Sequence, residues 1–318
     1  MILSGAGAGI REGKHRAGSY RGLQIWNMRK EIVTMAEDIR EFSKNKDYLI
    51  CVDSDGCAMD TMNIKHFRCF GPCMVREWGL QAYEKQIQQR WNEINLYSMT
   101  RGINRFKGLA AALLEADRDY RKIPGIQIFA DWAENAPELS NRAVKERAGE
   151  GDPDGIFAKA LSWSLHVNES IDALPQESKK AFDGVREALA CARQKADVAV
   201  VSSANKEAVI EEWERCGLLE LVDALCCQDA GTKKDCIAAL LSKGYAPQQV
   251  LVLGDAPGDE TAASENDVFF YPILVKYEKE SWKEFRLEAM DKFINGDYAG
   301  YEKIRKEKFF QNLGQSVS

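Results

Sequence analysis

The sequence predicts an α/β protein: a parallel sheet core in three layers, with an all-helical domain inserted after the first strand. Three observations carry this. From Ala196 onward, short apolar runs alternate with helical patterns, as in a parallel sheet wrapped by helices. A lone apolar run, Tyr48 to Val52, lies far upstream of them. Between about 62 and 195 only helical periodicity is found, broken at Gly71-Pro72, Gly79, Pro124-Gly125, Pro137, the Gly149–Gly155 cluster and Pro175. If the early strand joins the later sheet, 62–190 becomes an insertion. Two consecutive independent domains would leave that strand orphaned.

Element by element, Ile32, Val33, Met35, Ala36, Ile39 and Phe42 mark the apolar face of a helix opening at Met28. Tyr48 to Val52 reads as a buried strand ending in a polar turn. A helix is expected over 178–195 with Ser178 as N-cap. Strands follow at 197–201, 224–227, 249–253 and 268–271, with helices at 205–216, 233–243 and 257–265 between them. Residues 278–318 read as amphipathic helix. The expected division is a disordered leader over 1–27, a core from 28–61 and 191–275 with the C-terminal helices 276–318 packed on it, and a helical cap over 62–190.

Composition narrows the function. The 318 residues are 45% hydrophobic and 29% charged, enough for a real core. No apolar run approaches the roughly 18 residues of a membrane span, so no membrane partner is expected. The net charge of −6 argues against a nucleic-acid partner bound through bulk electrostatics. Segments 31–60 and 191–275 together carry 10 basic and 22 acidic residues, an imbalance that fits either a well-solvated surface or the holding of a cation. The nine cysteines are odd in number and sit largely in apolar runs, which with no secretory signal points to a reducing, cytoplasmic setting.

In open parallel sheets, function gathers beyond the carboxyl ends of the strands. Three such ends here carry reactive groups: Asp53-Ser-Asp55-Gly56, Ser202-Ser203, and Gly254-Asp255-Ala-Pro-Gly-Asp259. Lys233 and Lys234 open the helix before the last of these strands. Singly, each piece reads as a turn, an N-cap or a surface lysine. Together, four carboxylates at one sheet edge cannot all stay ionised without a cation, and hard oxygen ligands that leave room for phosphate suit Mg²⁺.

Leu49-Ile-Cys-Val-Asp53-Ser-Asp55-Gly56, Val198-Ala-Val-Val-Ser202, Lys233 or Lys234, and Gly254-Asp255 through Asp259 occur in the order of four motifs. In this the sequence resembles the haloacid-dehalogenase-like hydrolases, chiefly the phosphatases and phosphomutases with a cap inserted after the first motif. The resemblance covers about 31–60 and 191–275 and implies a Rossmann-like core. It implies that Asp53 attacks phosphorus and Asp55 acts as general acid and then base. Ser202 and the Ser203 amide would hold phosphoryl oxygens, helped by Lys233, which is favoured over Lys234 because Ile237, Leu240 and Leu241 follow at helical offsets. Mg²⁺ would sit on Asp53, the Asp55 carbonyl and Asp255, with Asp259 orienting its waters or the lysine. The family's usual Thr after D-x-D-G is here Cys57.

The reading is an Mg²⁺-dependent phosphatase of a small phosphorylated metabolite. A sugar-phosphate mutase of the same family, or a binder of phosphorylated metabolites without turnover, are the alternatives. Within the cap, Asp60 to Phe67 resembles the cap entry of the mutase branch, which draws attention to Lys65 and His66. His66, Cys69 and Cys73 share helical spacing, better read as a packed face than as a zinc site. Arg101 and Arg105 flank a glycine and Asn104 just before an apolar helix, which reads either as a solvated helix start or as a setting suited to an anionic substrate. Trp78, Trp91, Trp132 and Trp163 recur at helical positions as cap core.

Overall fold

Six parallel strands build the main sheet of the computed structural model, which describes residues 37–314. The leader expected over 1–27, and the start of the helix expected from Met28, lie outside the described residues. The strands are β1 (Glu37–Asp38), β2 (Tyr48–Val52), β5 (Ala196–Val201), β6 (Ala224–Cys226), β7 (Val250–Gly254) and β8 (Phe269–Pro272), in the order β1-β6-β5-β2-β7-β8. A short antiparallel ribbon joins β3 (Met59–Asp60) to β4 (Lys180–Ala181). The early strand does join the later sheet: β2 lies at its centre, with Ile50 opposite Val198 on one side and Leu251 on the other.

Alternation along the strands produces the three layers. Ile50, Val52, Val198, Val200, Leu251 and Leu253 face one helical layer, which includes Val185–Ala192 and Lys206–Arg215. Leu49, Cys51, Ala199, Val201, Val250 and Val252 face the other, formed by Lys233–Leu241, Pro257–Ser264 and Tyr298–Asn312. Trp282, on the helix that opens at Glu278, packs in the first layer, and its indole donates to the Cys57 carbonyl at 2.9 Å. The C-terminal helical region thus braces the loop that leaves β2.

The helical insert has its own core. Phe70, Trp78, Trp91, Phe106, Leu113, Phe129, Phe157 and Trp163 form one cluster contributed by helices between Met62 and Asp172, and Trp132 packs against it half-buried. The β3–β4 ribbon ties together the two chain crossings between sheet and insert. All nine cysteines are free, and seven are buried. No helix among the described residues is long and apolar enough to cross a membrane.

Three expectations are corrected. The helix drawn through residue 42 gives way at Glu37–Asp38 to an edge strand paired with Ala224 and Leu225, while Phe42 fills the core beneath it. The helix expected over 178–195 is confined to Val185–Ala192. It follows Gly184, whose φ of 92° suits glycine, and Lys180–Ala181 pair as strand instead. Its Val185, Ala188 and Leu189 pack on the sheet rather than in the insert. Gly71-Pro72 is not a break: the helix runs over 62–77, and a π turn at His66–Phe70 accommodates the proline, which has no N–H to donate.

Candidate active site

The polypeptide leaves the central strand in a tight loop. The Asp53 amide donates to Leu253 O at 3.0 Å, the Met59 amide to Ser54 O at 2.8 Å, and the Gly56 amide to Met59 O at 2.8 Å. Trp213 fixes the Ser54 hydroxyl from below, its indole donating at 2.9 Å. Gly56 sits at φ 84°, and a Cβ there would lie 2.5 Å from Asp255 Oδ2. The loop therefore closes directly onto the end of β7.

At that junction Lys233 bridges two carboxylates, 2.8 Å from Asp53 Oδ1 and 2.5 Å from Asp259 Oδ1. Lys234 instead points outward to Glu265. Burial disfavours the Lys233 ammonium, but Asp259 and Asp53 outweigh it and hold the lysine above its ordinary range. Burial pushes the Asp53 carboxyl well up against the pull of Lys233. Asp259 receives the Ala256 amide on its other oxygen at 3.0 Å, so it serves to hold the lysine and the start of its own helix. Ser202 is buried at the end of β5, and its hydroxyl accepts from the Ala204 amide at 3.2 Å. Ser203 beside it is exposed.

The residues fit a divalent cation. One oxygen each of Asp53, Asp255 and Asp259 lie within 4.8 Å of one another. Asp255 is fully buried, yet its Oδ1 has no partner among the described residues. Burial lifts its carboxyl to about 6, against the pull of Arg101. A buried, unsatisfied carboxylate oxygen is costly unless a cation or donor completes it. Hard oxygens of this kind suit Mg²⁺.

The helical insert reaches this centre with two cations. Lys65 donates to both oxygens of Asp55 at 2.7 and 2.8 Å, and the Thr61 hydroxyl bonds the same carboxylate. Although burial acts to raise it, these partners keep the Asp55 carboxyl below its ordinary value. Arg101, 3% exposed, donates from Nε to Asp255 Oδ2 at 2.7 Å and from Nη1 to Leu96 O at 2.8 Å.

The remaining candidates separate. His66 is turned into the insert: Trp91 donates to its Nδ1 at 3.0 Å, and its ring stacks on Phe70. Burial, then the nearby Arg101 cation, pushes its pKa down to about 3, so the ring is neutral. Asn104 is the N-cap of the helix Arg105–Asp119, accepting from the Phe106 amide, while its Nδ2 donates to Leu139 O. Arg105 lies over the Phe70 ring and donates to Ser164 Oγ and Asn168 Oδ1, and among the described residues it has no carboxylate partner. The packed-face reading of Cys69 and Cys73 agrees with their burial, and the three aspartates are the only potential metal cluster among the described residues. Thr61 and Trp213 were not singled out in the sequence. Thr61 stands within the stretch that carried Lys65, whereas Trp213 carries no local signal for its bond to Ser54.

Residues 138–273 match the family model of the haloacid dehalogenase-like hydrolases. No curated protein matches the chain by sequence. Similar solved structures include a conserved haloacid dehalogenase-like protein of Agrobacterium tumefaciens, 14% identical with a TM-score of 0.46, covering 81% of this chain and 100% of that one. A haloacid dehalogenase-like family protein of Streptococcus pneumoniae is 12% identical with a TM-score of 0.41, at coverages of 76% and 91%. CbbY of Rhodobacter sphaeroides, in complex with phosphate, is 14% identical with a TM-score of 0.41, at coverages of 72% and 87%. The matched stretch, which is similar to the haloacid dehalogenase-like hydrolases, holds Ser202, Lys233, Asp255 and Asp259.

Proposed function

We propose that the chain is an Mg²⁺-dependent phosphatase of a small phosphorylated metabolite, working through an aspartyl-phosphate on Asp53. The observation that carries this reading is the Asp53–Lys233–Asp259 chain of ion pairs beside a buried Asp255 oxygen that has no partner among the described residues. Asp53, the Asp55 carbonyl and Asp255 would hold the cation, which supplies charge neutralisation for the phosphoryl oxygens.

Asp53 attacks phosphorus, and the ester P–O bond breaks as the leaving oxygen takes a proton from Asp55. Water then attacks the same phosphorus, Asp55 takes its proton, and the bond to Asp53 breaks to release phosphate. Lys233 stays charged between Asp53 and Asp259 and offsets the negative charge that gathers on the transferred group. Ser202 stands at the adjacent strand end to bond a phosphoryl oxygen, with the Ser203 amide beside it. Lys65 and Thr61 hold Asp55 ionised, the form that accepts the proton of water. This arrangement thus favours the hydrolytic half of the cycle. Arg105, half-buried in the insert and without a carboxylate partner among the described residues, would meet the part of the substrate remote from the phosphoryl group.

A panel of phosphorylated metabolites assayed for phosphate release tests this, with chelated enzyme and Asp53→Asn as controls. Release that stops on chelation, is restored by Mg²⁺ and is absent in Asp53→Asn is the expected result. Activity retained by Asp53→Asn would end the covalent route. Interconversion of sugar phosphates without net phosphate release would point to the mutase instead.

A further inference from the structure

We infer that Arg101 sets the choice of divalent cation by taking one oxygen of Asp255 out of play, so that the carboxylate offers a single oxygen. This rests on the reading of Asp255 as a cation ligand. The two oxygens of Asp255 are in opposite states. Oδ2 accepts from Arg101 Nε at 2.7 Å, whereas Oδ1 is buried with no partner among the described residues. The guanidinium cannot swing away cheaply. Nη1 is tied to Leu96 O at 2.8 Å, and a Cβ at Gly56 would lie 2.7 Å from Nη2, so the group lies close against the loop that leaves β2. The pair is almost fully removed from solvent.

Mg²⁺ is small and demands near-octahedral, single-oxygen donors, whereas Ca²⁺ takes six to eight oxygens and readily uses both oxygens of one carboxylate. A carboxylate with one oxygen locked suits the first ion and denies the second its extra ligand. Arg101 belongs to the helical insert and Asp255 to the sheet, so the insert itself shapes the cation site. Arg101 acts through Asp255 and is a positioning residue, not a catalytic one.

Calorimetric titration of the full chain with Mg²⁺ alone and with Ca²⁺ alone, without substrate, tests this in wild type, Arg101→Met and Arg101→Lys. Outer-shell partners of metal ligands typically govern about 10–100-fold in affinity. Wild type should prefer Mg²⁺. Arg101→Met should lose Mg²⁺ affinity while keeping or gaining Ca²⁺ affinity, shifting the preference by about tenfold or more. Arg101→Lys keeps the charge but cannot hold Asp255 and Leu96 O together, and should shift it in the same direction by less. It decides the matter if the methionine variant does not fold. Mg²⁺ binding in wild type with an unchanged preference in the folded variants would overturn the inference. Absence of Mg²⁺ binding in wild type would instead overturn Asp255 as a cation ligand, and this inference with it.

Discussion

Lys65, on the first helix of the insert, holds both oxygens of Asp55, three residues past the end of the central strand, at 2.7 and 2.8 Å. An ammonium so placed favours the ionised carboxylate and fixes its orientation. Asp55 must donate a proton in one half of the proposed cycle and accept one in the other. Lys65 serves the accepting half. Lys65→Met should therefore slow breakdown of the aspartyl-phosphate more than its formation, and the phosphoenzyme should build up. Acid-quench measurement of protein-bound phosphate during turnover checks this. A lower rate with no build-up would mean that Lys65 acts on both halves alike.

Gly56 lies where the end of the sheet and the insert meet. Its φ is 84°, and a Cβ would lie 2.5 Å from Asp255 Oδ2 and 2.7 Å from both Arg101 Nη2 and Met62 Sδ. Gly56→Ala adds a left-handed backbone penalty of about 1–3 kcal/mol to the crowding of two side chains already tied by an ion pair. We expect lowered stability in urea and loss of phosphate release. A variant of wild-type stability and activity would show that the loop relaxes freely.

The strand-end groups were legible because each motif follows an apolar run that is a strand. Asp53, Ser202 and Asp255 all fall where β2, β5 and β7 end. Helical phase separated Lys233 from Lys234 for the same kind of reason, since Ile237 and Leu240 point Lys233 toward the sheet. The two-residue strand Glu37–Asp38 is too short to carry a period of its own, so an apolar pattern through Phe42 read as helix. Lys65 and His66 differ by one step, about 100° around a helix of 3.6 residues per turn. Nothing local sets that phase, and the tertiary contact with Trp91 turns His66 away. The sequence around Arg101 points to a substrate group, since its partner, Asp255, is 154 residues distant and leaves no local signal.

Among the described residues, Arg105 is a cation satisfied by neutral groups, Ser164 Oγ and Asn168 Oδ1. Burial without a carboxylate acts to lower its pKa, a cost that an anionic substrate group would offset. Arg105→Ala should raise KM with little change in kcat, the signature of lost uniform binding. Steady-state kinetics on the best substrate of the panel decide it, and an unchanged KM would remove Arg105 from the site.

His66 gives a signature of acid sensitivity separate from the chemistry. Its pKa is about 3 in the folded chain, against roughly 6.5 when unfolded. Between these values the unfolded chain binds one proton more, so stability falls as pH falls through that window, by up to about 1.4 kcal/mol per pH unit. Above the upper value nothing is lost. His66→Gln leaves an acceptor for the Trp91 indole but cannot titrate. Denaturation from pH 7 to 4.5 should show a shallower loss in the variant than in wild type. Equal slopes would mean that the ring is free to protonate in the fold.

The assignment of the acid is tested by leaving groups. Asp55→Asn leaves Asp53 and Lys233 untouched but removes proton transfer, a step worth about 10²–10⁴-fold. An aryl oxygen departs with little protonation, whereas an alkyl oxygen does not. The variant should therefore lose far less kcat/KM on an aryl phosphate than on an alkyl phosphate. His66 could not take over as the donor, being neutral and stacked on Phe70. Equal losses on both leaving groups would place the proton donor outside the Asp55–Lys65 pair, and the two-role account of Asp55 would fall.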